Sequence, residues 1–173
     1  GQCDPANIAM ALAKGARMMG AKVIEGVKVT KVTDDGAKVT GVEWEAGGET
    51  GSITAEMVVN CGGMWGRDLA NQSGVTLPLH ACEHFYLVTE PVEGLSRLPV
   101  LRVPDECAYY KEDAGKMMLG AFEPKAKPWG MQGIREDFEF DTLPEDWDHF
   151  MPILEKAMNR LPMFQTAGIH TFF

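Results

Sequence analysis

The sequence has no apolar run of membrane-spanning length and no charged-apolar-small leader at its first residues, so neither a spanning helix nor a signal peptide is expected. It also lacks clusters of Lys and Arg. With 16 basic against 25 acidic residues the formal net charge is −9, which argues against nucleic acid and against anionic membrane surfaces as partners. No C-x-x-C pair occurs. The four cysteines (Cys3, Cys61, Cys82 and Cys107) are widely spaced, which reads as buried free thiols in a reducing compartment and excludes a disulfide framework. Internal repeats and low-complexity tracts are absent. What is present is ordinary for a globular protein: 173 residues, 45% hydrophobic and 24% charged, enough for one sizeable core or for two lobes.

One stretch stands out. Met57, Val58 and Val59 form a short apolar run, as expected of a strand covered on both faces; Gly62-Gly63 follows, and Trp65 opens a helical pattern with Leu69 one turn later. Strand, glycine turn and helix start bring bare backbone and free N–H groups close to a ligand in α/β proteins. Gly-Gly after a strand is also a plain turn, and the residues alone leave both readings open.

Upstream, Asp4-Pro5 caps a helix whose Ile8, Leu12, Ala16 and Met19 fall on one stripe, expected to pack on a sheet with Met18-Met19 as core filling. Lys22–Glu25 reads as a short strand. Val27–Thr33, Val39–Trp44 and Ile53 read as an antiparallel meander turning at Asp35-Gly36 and Gly47-Gly48. The meander leads back to a buried strand at Glu56–Asn60.

Downstream, residues 80–89 alternate, with His80, Cys82, His84, Tyr86 and Val88 on one face and Phe85 and Leu87 on the other. Cys107–Glu112 and Lys116–Glu123 make a hairpin around Asp113-Ala-Gly115, so one of Tyr109 and Tyr110 should share the face of His84. Thr142-Leu-Pro-Glu145 reads as the capping box of a long helix that Pro152 should kink or split. Residues 167–173 read as a strand whose partner lies outside the sequence.

Three chemistries are open to the face carrying His80, Cys82 and His84. Alternate strand residues are about 7 Å apart, so the three could ligate one metal, although a closed zinc site needs further ligands that the spacing does not supply; no metal is expected. The face could instead be solvated, or it could line a pocket in which His84 acts as base or hydrogen-bond donor. Whichever of Tyr109 and Tyr110 faces His84 could be plain strand packing or could orient a small polar substrate, and the spacing leaves both open; Arg102 could pair with a carboxylate or be a plain surface charge.

Asp4-Pro-Ala-Asn7, Val59-Asn-Cys-Gly-Gly-Met-Trp65, Leu79-His-Ala-Cys-Glu-His-Phe-Tyr-Leu-Val-Thr-Glu90 and Tyr109-Tyr110, in this order along nearly the whole chain, resemble the D-amino-acid-oxidase superfamily of FAD-dependent oxidoreductases. Within it the chain is most similar to the dimethylglycine and sarcosine dehydrogenase branch. The resemblance implies a mixed α+β and α/β fragment: residues 1–78 as part of a Rossmann-like FAD-binding domain, and 79–173 as an antiparallel-sheet substrate domain.

It further implies Val29 against the adenine, Cys61, Gly62, Gly63 and Trp65 along the phosphate and ribityl side of the flavin, and His84 and Tyr109 in the active site. The expected substrate is a small, N-methylated amino acid such as sarcosine or dimethylglycine. The family's Gly-x-Gly-x-x-Gly turn does not occur in these 173 residues, so tight FAD binding by this stretch alone is not expected. The implied location is the bacterial cytoplasm, or the mitochondrial matrix for a eukaryotic source. A non-catalytic α+β module that binds a ligand or partner is the competing class.

Overall fold

In a computed structural model, which describes residues 2–173, the chain forms two compact units. One comprises residues 3–81 and 130–135, the other 82–129 and 136–173.

The first unit starts with α1 (Pro5–Met18), where the Asp4 carboxylate accepts the Asn7 N–H at 2.7 Å. An antiparallel meander follows: β1 (Lys28–Asp34), β2 (Val39–Ala46) and β3 (Glu49–Thr54). Gly47 and Gly48 both take positive φ, and Ala46 pairs with Glu49, the two-residue hairpin that those glycines favour. Next come a 3-10 turn at Gly63–Trp65 and α2 (Gly66–Gln72). The Ser73 hydroxyl accepts the Val32 N–H at 3.1 Å, tying the end of α2 to β1.

Three expectations fail here, for one physical reason. Lys22–Glu25 and Glu56–Asn60 are not in strand pairing, and α1 has no buried residue. A strand exists only through a neighbour's backbone, and an apolar stripe is buried only by something laid against it. Among the described residues neither neighbour is present. Val23, Ile24, Met57 and Val59 are consequently bare, and Met18 and Met19 are 80% and 91% exposed rather than core. The cysteines are also corrected: all four are free, but Cys3, Cys61 and Cys82 are exposed and Cys107 is half-buried.

The second unit is built on a five-stranded antiparallel sheet. After the two-residue β4 (Ala81–Cys82) come β5 (Tyr86–Thr89), β6 (Leu101–Val103), β7 (Ala108–Asp113) and β8 (Lys116–Ala121). Then follow β9 (Pro128–Trp129), α3 (Trp147–Arg160) and β10 (Ile169–Phe172); the sheet order is β10-β5-β8-β7-β6. β10 therefore has its partner within the chain: Tyr86 and Phe173 exchange both backbone hydrogen bonds, at 2.9 and 2.8 Å.

One face of the sheet is core. Phe85, Leu87, Tyr110, Leu119 and Ala121 pack with Phe150, Ile153, Leu154 and Ala157 of α3. The buried Thr89 hydroxyl is satisfied by the Met117 N–H at 3.0 Å.

The start of α3 differs from expectation. Asp146, not Thr142, is the N-cap and accepts the His149 N–H at 3.0 Å, four residues beyond the Thr142 of the expected capping box. Lys127 pairs with the other oxygen of Asp146. Pro152 does not split the helix. It deletes only one N–H near the first turns, while the burial of Ile153, Leu154 and Ala157 holds the remainder against the sheet.

Candidate active site

The outward face of the five-stranded sheet carries the unusual chemistry. Antiparallel register puts Arg102 of β6 opposite Tyr109 of β7, Tyr109 opposite Gly120 of β8, and Gly120 opposite Tyr86 of β5. Residues directly opposite one another share a face, so these four form a row across four strands. Gly120 is the gap in that row. A Cβ there would lie 1.8 Å from Cζ of Tyr109, so the phenol ring lies flat over β8 where any side chain would expel it.

The ring reaches towards His84, whose imidazole stacks on it at 6.5 Å between centroids; Phe122 lies beside both, 5.5 Å from each. The Arg102 guanidinium sits 4.4 Å over the Phe122 ring. His84 and Tyr109 are thus brought together, while Tyr110 turns into the core. The expected continuous strand through residues 80–89 is interrupted at Glu83–Phe85. There the backbone bonds are met by the Lys127 carbonyl and the Glu123 carboxylate instead of a regular ladder.

Glu123 was not anticipated. Its side chain is 3% exposed, and its two oxygens are both engaged: one with His84 Nδ1 at 3.0 Å, the other with the Phe85 N–H at 2.9 Å. Burial alone would raise its pKa, but the hydrogen bonds from His84 and from the backbone N–H groups of Glu123 and Phe85 outweigh it and hold the carboxyl below the ordinary glutamate range. Tyr109 is shifted upwards, first by burial and then by Tyr86 and Glu123, so its phenol remains a protonated donor at working pH.

The sign for Glu123 is that of a depressed carboxylate: its stabilisation is complete above the unfolded-state value and is lost as pH falls through the folded one. Thermal melts from neutral pH to about pH 3 should therefore show the wild type losing its advantage over Glu123→Gln only on the acid side. An advantage that does not change with pH would contradict the assignment.

A second expected result concerns Gly120. Gly120→Ala should displace the Tyr109 ring yet spare the core, because the added methyl points outward. The loss of one hydrogen-bond donor is about 0.5–1.5 kcal/mol, or roughly a 2- to 12-fold rise in KM in the intact enzyme, with kcat changed less. Tyr109→Phe should give a similar rise, and unaltered KM in both variants would remove Tyr109 from the site.

In the first unit Asn60 knits the glycine turn. Its Oδ1 accepts the Gly62 N–H at 3.0 Å and its Nδ2 donates to the Gly66 carbonyl at 2.8 Å. Gly63 takes φ +55°, and a Cβ there would meet only open space. Gly62 and Gly63 line a groove of about 500 Å³ together with Val32, Val39, Val58, Leu69 and Asn60. Bare backbone along an apolar groove fits the close approach of a cofactor.

Val29, Cys61 and Trp65 are not part of that lining. Val29 pairs with Trp44 within the meander, Cys61 is exposed, and the Trp65 indole donates to the Arg135 carbonyl at 3.2 Å. His80 borders a separate recess of about 180 Å³ with Gly63 and Arg67. Among the described residues no three His, Cys, Asp or Glu side chains are placed to hold a metal ion.

The family model described as FAD dependent oxidoreductase matches residues 1–172. The chain belongs to this family. Its cofactor is FAD, as the resemblance implied, and the similarity to sarcosine and dimethylglycine dehydrogenases is borne out. This FAD-dependent oxidoreductase chain is 37% identical to the mitochondrial sarcosine dehydrogenase of Homo sapiens, over 98% of its own length and 18% of that protein. It is 36% identical to the mitochondrial pyruvate dehydrogenase phosphatase regulatory subunit of Mus musculus, over 95% of its own length and 19% of the relative. The chain thus spans about a fifth of the curated relatives it matches. Among solved structures, L-proline dehydrogenase from P. horikoshii superposes with a TM-score of 0.74 over 99% of this chain and 43% of that one, at 19% identity, which establishes a shared fold. Among the described residues no helix is long and apolar enough to cross a membrane.

Proposed function

We propose that this chain is the substrate-side portion of an amine oxidoreductase acting on a small N-methylated amino acid, with sarcosine or dimethylglycine as the expected substrates. The observation that carries the proposal is the convergence of His84, Tyr109 and Phe122 on one sheet face, with Arg102 beside them. FAD, when bound, supplies the acceptor for a hydride leaving the carbon next to nitrogen, and the resulting imine is hydrolysed by water.

The chain's own residues have the other tasks. His84 biases the bound amine towards its neutral form, whose lone pair must assist hydride departure. The protonated Tyr109 phenol donates a hydrogen bond that orients the substrate. The aromatic rings favour a methylated amine, and Arg102 can pair with the carboxylate. For the cofactor, Gly62 and Gly63 are the residues whose bare backbone approaches it, with Val29, Cys61 and Trp65 assigned to the same role by family resemblance alone.

A second reading is favoured by one observation, the 36% identity to a phosphatase regulatory subunit: the fold could serve binding without turnover. A substrate panel on the intact flavoprotein separates the two. Steady oxidation of sarcosine or dimethylglycine, with formaldehyde released, is expected. Saturable binding of the same compounds with no product would favour the regulatory reading.

A further inference from the structure

We propose that Glu123 is a positioning residue that fixes the tautomer of the neutral His84 imidazole, so that Nε2 carries the lone pair and is the nitrogen left for the substrate. The inference rests on the reading of His84 as a substrate-site residue, and extends it to a buried carboxylate on another strand.

An ionised carboxylate can only accept. Glu123 is almost wholly buried and is held ionised by its partners, so its oxygen 3.0 Å from His84 Nδ1 requires a proton on that nitrogen. In the neutral imidazole the lone pair is then left on Nε2. The second oxygen is already committed to the Phe85 N–H at 2.9 Å, a main-chain donor beside the core that has no alternative role. The carboxylate is therefore clamped at both ends and cannot rotate away from the ring.

The other groups around the imidazole do not compete for Nδ1. Tyr109 of β7 presents a ring face, Phe122 is apolar, and the guanidinium of Arg102 of β6 lies over Phe122. The sequence offered little warning, because Glu123 stands 39 residues from His84 and only the sheet joins them.

Glu123→Gln tests the inference because it is nearly isosteric and asymmetric. The amide has one acceptor, and the Phe85 N–H, which can only donate, must take it. The NH2 group then faces Nδ1 and can be satisfied only if Nδ1 becomes the acceptor, which moves the proton to Nε2. The experiment is nitrogen-15 NMR of the intact flavoprotein labelled in histidine, at a pH where the imidazoles are neutral. The His84 signals are assigned by their loss in His84→Gln, and flavin reduction by sarcosine is followed on the same preparations.

The expected result is Nδ1–H in the wild type and Nε2–H in Glu123→Gln, with flavin reduction slowed about 100-fold or more and substrate binding less affected. A wild type dominated by Nε2–H, or a variant with an unchanged tautomer, would overturn the inference. A clean tautomer reversal with unchanged flavin reduction would uphold the clamp and overturn the catalytic reading of His84 on which it was built. Thermal melts confirm that the variant is folded, and the tautomer measurement does not depend on its being active.

Discussion

Replacing His84 with alanine is expected to slow flavin reduction in the intact enzyme about 10²–10⁴-fold, the usual range for loss of a positioned proton-transfer group. The imidazole sits over Tyr109 and beside Phe122, and its Nδ1 is bonded to Glu123. It is still 43% exposed on its outer side, which leaves room for a ligand to reach it. In the proposed role His84 biases the amine towards neutrality, so the rate should fall most where the free amine is protonated and recover as pH rises. A uniform fall at every pH would point instead to lost packing. Glu123 keeps its bond to the Phe85 N–H in this variant, so the fold should survive. Stopped-flow flavin bleaching without oxygen, across the pH range in which the amine titrates, measures the effect.

Phe85→Ala should do the opposite: a large loss of stability, with the site's chemistry intact in whatever protein remains folded. Phe85 is 1% exposed, stacks on Phe172 at 5.5 Å with ring planes 8° apart, and meets the edge of His149 at 6.1 Å. Removing a buried phenylalanine costs about 3–5 kcal/mol, through lost transfer energy and the cavity left behind. That is a large share of the roughly 5–15 kcal/mol that holds a typical domain together. Denaturant titration should show the midpoint falling with little change in slope. A change well below 1 kcal/mol would mean that the sheet repacks over the gap, or that the face assignment is wrong.

The contrast between these neighbours was legible in the sequence because period-two alternation depends only on local geometry. His84, Tyr86 and Val88 did separate from Phe85 and Leu87, and one of the two adjacent tyrosines did fall on the face of His84: it is Tyr109, with Tyr110 on the other. The meander was legible for the same reason: Gly47-Gly48 and Asp35-Gly36 dictate where it turns.

What depends on a distant partner was not legible. Glu123 meets His84 through sheet pairing, and the place for the Tyr109 ring is made by a missing side chain at Gly120. A glycine inside the strand pattern was the one available signal. Glu56–Asn60 has the composition of a strand but no ladder among the described residues, because composition does not supply a neighbour. The helix start lies at Asp146 and not at Thr142 because two side chains able to cap, the Thr142 hydroxyl and the Asp146 carboxylate, stand within five residues. Only the reach of Asp146 to the His149 N–H decides between them.

In the proposed function this chain forms the amine-oxidising face of a flavoenzyme. Anaerobic mixing of the intact, FAD-loaded protein with excess sarcosine or dimethylglycine tests it most directly, because a single turnover needs no knowledge of the natural electron acceptor. Loss of the flavin's visible absorbance, saturating with substrate concentration and strongly slowed in His84→Ala, is the predicted result. A flavin that stays oxidised with every N-methylated amino acid, while remaining bound and reducible by a chemical reductant, would contradict it.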